Sequence, residues 1–175
     1  MLENSTQPLS VAALFAEREA HLRHEKEMEE QLVHKKEEEL ADYKKRLEEF
    51  KLSKAFTDSL AARIRRAFDH GETELMFASF PSNFCTDEGR AINNVGETPI
   101  NKPGQNGGTQ DTEPQWLATL PKGARPLYDY WKSSLRPGGF SFSARIINYP
   151  GGMPGDVGLF ISWPKSPLEG TAAAT

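Results

Sequence analysis

The sequence predicts an α+β protein, with a long charged N-terminal helix ahead of a small domain holding an antiparallel sheet of about three strands and two helices. Three observations lead there. No proline or glycine interrupts the chain between Pro8 and Gly71, and that span is dense in Glu, Lys, Arg and Ala. Near the other end, Phe140, Phe142, Ala144 and Ile146 alternate with Ser141, Ser143 and Arg145, and Val157, Leu159, Ile161 and Trp163 alternate with Gly158, Phe160 and Ser162. That two-residue period marks strands with one covered face. Between the two runs, Tyr149-Pro150-Gly151-Gly152-Met153-Pro154-Gly155-Asp156 consists of turn-forming residues, so the strands form a hairpin with a long connection.

The helix is expected over residues 10–53, behind an unstructured stretch at 1–9. Ser10 can cap it, because its hydroxyl accepts a bond from an otherwise unpaired amide of the first turn. Helical pattern resumes beyond Ser53, which marks a break or bend, and Gly71 suits the left-handed residue that ends a helix. Within the long helix, Leu40, Tyr43, Leu47 and Phe50 step by three, four and three, which is the spacing of a coiled-coil seam. Val33 keeps the same phase, whereas Lys26, Glu29 and Lys36 also fall on it, and Met28 and Leu32 follow a shifted register. A solitary helix held by pairs such as Glu19 with Arg23 gains only about 0.2–0.5 kcal/mol per pair. It would also leave Tyr43, Leu47 and Phe50 in water. Helix pairing through Val33, Leu40, Tyr43, Leu47 and Phe50 is the better reading, with a homodimer the simplest case and the helix orientation open.

Residues 54–164 form the small domain. Phe56, Leu60, Ile64 and Phe68 repeat every four residues, giving an amphipathic helix whose other side carries Arg63, Arg65 and Arg66. Glu72 to Phe80 reads as a strand apolar on both faces, hence an inner strand. Residues 93–114 have too little apolar content to fold and read as a flexible loop. A helix begins near Arg125-Pro126, presents Leu127, Tyr128, Trp131 and Leu135, and stops at Pro137-Gly138-Gly139. Pro154-Gly155 reads as the centre of a type II turn, and residues 165–175 as an unstructured tail.

Composition narrows the function. The 175 residues carry a net charge of −4, which provides no general attraction to nucleic acid or anionic membranes. Arg63, Arg65 and Arg66 with Phe140, Phe142, Tyr149 and Trp163 are the only basis for a nucleic-acid accessory role, since alternating aromatics on a hairpin are more often core. The single cysteine, Cys85, forbids an internal disulfide and suits a reducing compartment. With neither a secretory leader nor a long apolar run, the expectation is a cytoplasmic protein that does not enter a membrane.

Chemical signals are sparse. Cys85-Thr86-Asp87-Glu88-Gly89-Arg90 is rich in reactive groups, but Asp87 and Glu88 oppose a thiolate, so Cys85 reads as a small buried hydrophobe rather than a nucleophile. Thr86 or Asp87 is expected to cap a short helical turn. His21 and His24 share a helix face yet lack a third ligand. The segment 151–156 lacks the lysine and hydroxyl of a phosphate-binding loop. No catalytic residue, metal or cofactor is expected. A polar site formed by Asp87, Arg90, Asn93 and Arg145 is the alternative that would make this a small enzyme or ligand sensor. The leading expectation is a non-enzymatic, dimeric interaction or regulatory module that presents its domain to a protein partner.

Overall fold

The computed structural model describes residues 8–95 and 113–167, which fall into two units divided between Lys45 and Arg46. Most of the expected unstructured N-terminus and tail, and most of the expected flexible loop, lie outside the described residues.

The first unit is helical. Helix α1 runs from Val11 to Glu48 and starts where expected, with Ser10 Oγ accepting the Ala13 amide at 3.1 Å. It buries none of its residues. From Val11 to Leu40 its large apolar side chains stay wet, between 44% exposed at Leu40 and 69% at Val11. Charge pairs one turn apart run along it, including Arg23 with Glu19 at 3.9 Å and His34 with Glu38 at 3.2 Å.

In the second unit the chain leaves the helix before Ser53. Ser53 instead caps helix α2 (Lys54–Asp69), its hydroxyl accepting the Phe56 amide at 3.1 Å. Leu60, Ile64 and Ala67 are the buried face of α2. Its end is the expected one. Gly71 takes φ +79°, the Glu72 amide donates to the Ala67 carbonyl at 3.0 Å, and the Gly71 amide donates to Phe68 at 2.9 Å. These paired bonds satisfy carbonyls that the last turn would leave open.

Strands β1 (Glu74–Pro81), β2 (Ser141–Ile146) and β3 (Asp156–Ser162) form one antiparallel sheet in the order β1-β3-β2. The hairpin of β2 and β3 is as expected. The position of β1 is not, because it lies at an edge and β3 is the inner strand. A bulge explains the misleading pattern. Met76 pairs with Phe160 and Ala78 with Leu159, so Phe77 is an extra residue. Such a residue breaks the alternation of a strand and places apolar side chains next to one another in sequence without a second covered face. The edge is also occupied, since the Arg63 guanidinium donates to the Met76 carbonyl at 3.0 Å.

The register places Phe142, Ala144 and Ile146 beside Ile161, Leu159 and Val157 on one face. Phe142 has no exposed surface and lies 5.6–5.9 Å, centroid to centroid, from Phe77, Trp116, Tyr128 and Trp131. Trp116 lies in a 3-10 turn over Gln115–Thr119. Tyr128 belongs to helix α4 (Arg125–Tyr130), which continues as a π turn over Trp131–Leu135 and ends at Gly139 with φ +92°. Phe142 and its ring neighbours are thus the domain core, and Phe142 is withdrawn from any role in stacking bases. A further short helix, α3 (Arg90–Val95), packs on β2 and takes in the beginning of the segment expected as a loop.

Leu47 and Phe50 are half-buried in this unit, and Phe50 meets Phe56 edge to face at 5.2 Å. Gly123 is the reason they can approach: a methyl group there would collide with the Leu47 backbone carbonyl. Gly71, by contrast, has open space around it and only its positive φ to protect. Gly71→Ala is expected to cost about 1–2 kcal/mol, and Gly123→Ala more, because a backbone clash cannot be relieved by turning a side chain. Urea midpoints of the two variants check the order, and an equal or milder effect at Gly123 would refute the close approach.

Candidate functional site

The segment around Cys85 is structural. Asp87 is the cap, its two carboxylate oxygens accepting the Gly89 amide at 3.0 Å and the Ala91 amide at 2.8 Å. Arg90 and Asn93 are exposed on the same short helix. Cys85 is buried, and its thiol is pushed up to about 12, first by burial and then by the negative charge of Asp87. A thiol held protonated is a poor nucleophile.

Arg145 does not join that group. Ile146 approaches Gly89, and the next side chain along a strand points to the opposite face of the sheet. There Arg145 lies with its guanidinium carbon 3.6 Å from the centroid of the Phe160 ring and pairs with Glu74, one of whose oxygens accepts at 2.6 Å and the other at 3.0 Å. The Phe160 ring in turn lies over Gly158, where a methyl group would stand 2.6 Å from the ring edge. One residue from each strand therefore builds a lid of arginine over an aromatic ring. The polar pocket expected from Asp87, Arg90, Asn93 and Arg145 is not assembled, since Asp87 closes a helix end and Arg145 covers the far face of the sheet.

Asn93 is instead joined to the hairpin connection, through the Tyr149 hydroxyl, which donates to its side-chain carbonyl at 2.7 Å. This connection is tightly bonded. Asn148 accepts from the Asp156 amide and donates to the Asp156 carboxylate, both at 2.8 Å. The Ser82 amide donates to the Gly155 carbonyl at 2.8 Å, and the Ser82 hydroxyl donates to Pro154 at 2.9 Å. Positive φ falls at Gly151 and Gly152, not at Gly155 as the type II turn requires. Gly155 is glycine for another reason: a methyl group there would strike the Asn148 side chain. The braced loop holds Ile147, Tyr149 and Met153 in the open, Met153 at 68% exposure. Exposed apolar side chains on a fixed loop are the kind of feature that binds another molecule.

The remaining polar groups offer little chemistry. Among the described residues, no group of three or more His, Cys, Asp or Glu is placed to hold a metal ion. His21 stands 3.1 Å from Glu25 on the open face of α1. No helix among the described residues is long and apolar enough to cross a membrane. Compared with known protein families, curated proteins and solved structures, the chain matches none of them. Sequence reasoning did not find Glu74, Phe160 or Asn148. The first two are distant in sequence from Arg145, whereas Asn148 and Asp156 bracket the turn and their pairing was within reach.

The Glu74 carboxyl is held below the usual carboxylate range chiefly by the hydrogen bonds from Arg145, with burial opposing and the Arg145 charge assisting. Its contribution is therefore present above the unfolded-state pKa and lost as pH falls through the lower folded-state value. In Glu74→Gln that acid loss should shrink, with a deficit near neutrality of under about 1 kcal/mol because the pair is partly solvated. Denaturant titrations at pH 7 and pH 3 check this, and an unchanged acid dependence would rule the pair out as its source. Cys85 should react with iodoacetamide at pH 7.5 at least roughly a hundredfold more slowly in the native protein than in urea. A comparable rate in both states would show that the thiol is accessible.

Proposed function

We propose that this protein is a non-enzymatic interaction module, in which α1 pairs with the same helix of a second copy and each copy presents an α+β domain to a protein partner. The observation that carries the reading is α1 itself, which buries none of its residues while holding Phe15, Leu22, Val33 and Leu40 about half exposed. A helix of this length gains most of its stability from packing an apolar stripe, and its short-range charge pairs add little. Pairing covers the stripe. Two linked domains then raise the apparent affinity for a repeated or two-fold partner through effective concentration.

The partner surface in this reading is the hairpin connection, with Ile147, Tyr149 and Met153 on its rigid frame. The protonated Cys85, the capping role of Asp87 and the engagement of Arg145 by Glu74 favour binding over catalysis. A lone buried thiol suits a reducing compartment such as the cytoplasm.

Light scattering of the full chain should give twice the chain mass, and Leu40→Glu should return it to the monomer. Leu40 is the right probe because Leu47 is half-buried in the second unit and its replacement would disturb the domain as well. A monomeric wild-type chain at tens of micromolar would overturn the self-association.

A further inference from the structure

Resting on that reading, we infer that the α1 pair is antiparallel, with its two-fold axis passing between Glu27 and Met28. The argument comes from the charged residues that interrupt the seam. Counting in heptads back from Leu40 and Tyr43, one seam position is held by Ala12, Glu19, Lys26, Val33 and Leu40, and the other by Phe15, Leu22, Glu29, Lys36 and Tyr43. All ten lie within α1 and in the first unit. Glu19, Lys26, Glu29 and Lys36 have no place in an apolar seam unless the partner helix answers each of them.

A parallel pair in register cannot answer them. It sets each seam residue against its own copy, so Glu19 meets Glu19, Lys26 meets Lys26, Glu29 meets Glu29 and Lys36 meets Lys36. Among its charged flanking contacts, Arg18 meets Arg23 and Glu25 meets Glu30, again like against like, and Glu39 with Lys44 is the one opposite-charge pair.

Reversing one helix about the point between Glu27 and Met28 pairs each seam position with the other kind. Lys26 then meets Glu29 and Glu19 meets Lys36, each an opposite-charge layer. Leu22 meets Val33, Phe15 meets Leu40 and Ala12 meets Tyr43, each a layer without charge. No seam residue from Ala12 to Tyr43 is mismatched in sign or polarity. The flanking positions agree, placing Arg18 beside Glu39 and Arg23 beside Glu30, with no like-charged pair. Polar residues at seam positions are known to specify register and orientation at some cost in stability, and charge complementarity selects the partner. Leu47 and Phe50 continue the heptad in sequence but fall beyond this overlap, in keeping with their half-buried places in the second unit.

The arrangement has a functional consequence. In an antiparallel pair the two Arg46 residues, where the second unit begins, are held roughly 55 Å apart along the axis at 1.5 Å per residue. A parallel pair would bring them side by side. The antiparallel pair is a spacer that delivers its two domains from opposite ends.

Cysteine cross-linking of the full-length chain separates the two orientations, and the native Cys85 is buried and does not compete. Leu22→Cys and Val33→Cys are prepared singly, mixed and oxidised. An antiparallel pair gives a disulfide-linked dimer only from the mixture, whereas a parallel pair gives one from each variant alone, and the second result would overturn the inference. A charge exchange provides an independent reading. Lys26→Glu should weaken the dimer by roughly tenfold or more, by setting like charges against Glu29, and adding Glu29→Lys should restore it. If Lys26→Glu leaves the dimer unchanged, as replacement of one self-facing like pair by another would, the antiparallel register is wrong. A wild-type chain that is monomeric in light scattering defeats the self-association itself, while a dimer with the parallel cross-links defeats only the orientation.

Discussion

The domain depends on one buried ring. Phe142 has no exposed surface, and four aromatic side chains from three separate segments stand around it. Trp116 stacks nearly parallel at 10°, Tyr128 meets it edge-on at 88°, and Phe77 and Trp131 lie between these extremes. Each such pair adds about 0.5–1.5 kcal/mol beyond the area it buries, so the cluster can fix elements that have little regular structure of their own. The 3-10 turn of Trp116 is held this way. So is the α-to-π helix, whose Trp131 also donates from its indole nitrogen to the Phe140 carbonyl at 3.0 Å. The bulge in β1 belongs to the same arrangement, since the extra residue it introduces is Phe77.

The two faces of the sheet solve different problems. The Phe142 face needs cover for large apolar rings and obtains it from helices and turns. The other face carries Ser141, Ser143 and Gly158 with Met76, and its large ring, Phe160, has Arg145 laid over it. A guanidinium over a ring face is attracted by the ring's negative centre, and Glu74 supplies the opposite charge at the arginine's outer edge. This engagement is also why Arg145 fails as a member of a polar pocket, and why the open chemistry of the domain gathers at the hairpin connection.

Much of the architecture was legible in the residues. The absence of Pro and Gly between Pro8 and Gly71, the cap at Ser10, the break at Ser53 and the two-residue period of β2 and β3 are local signals, and local physics decides them. Features that depend on distant partners were not legible. The both-sided apolar character of β1 came from a bulge and not from burial on two faces. The glycine of Pro154-Gly155 was read as a turn residue, but steric closeness to Asn148 requires it. The candidate pocket failed because capping and ion pairing claimed its members separately, and neither Glu74 nor Phe160 carries a sequence mark tying it to Arg145.

The sequence by itself determined the long helix, its capped start, its heptad pattern and the hairpin, because each follows from hydrogen bonding and side-chain spacing within a short stretch of chain. It also carries the order of charges along the seam, on which the proposed antiparallel pairing rests. Tertiary structure decided which strand lies at the centre, which ring forms the hub of the core, and that Leu47 and Phe50 are half-buried beside Gly123. Those outcomes depend on contacts between residues far apart in the chain, where the fit of neighbouring surfaces, rather than local preference, selects the arrangement.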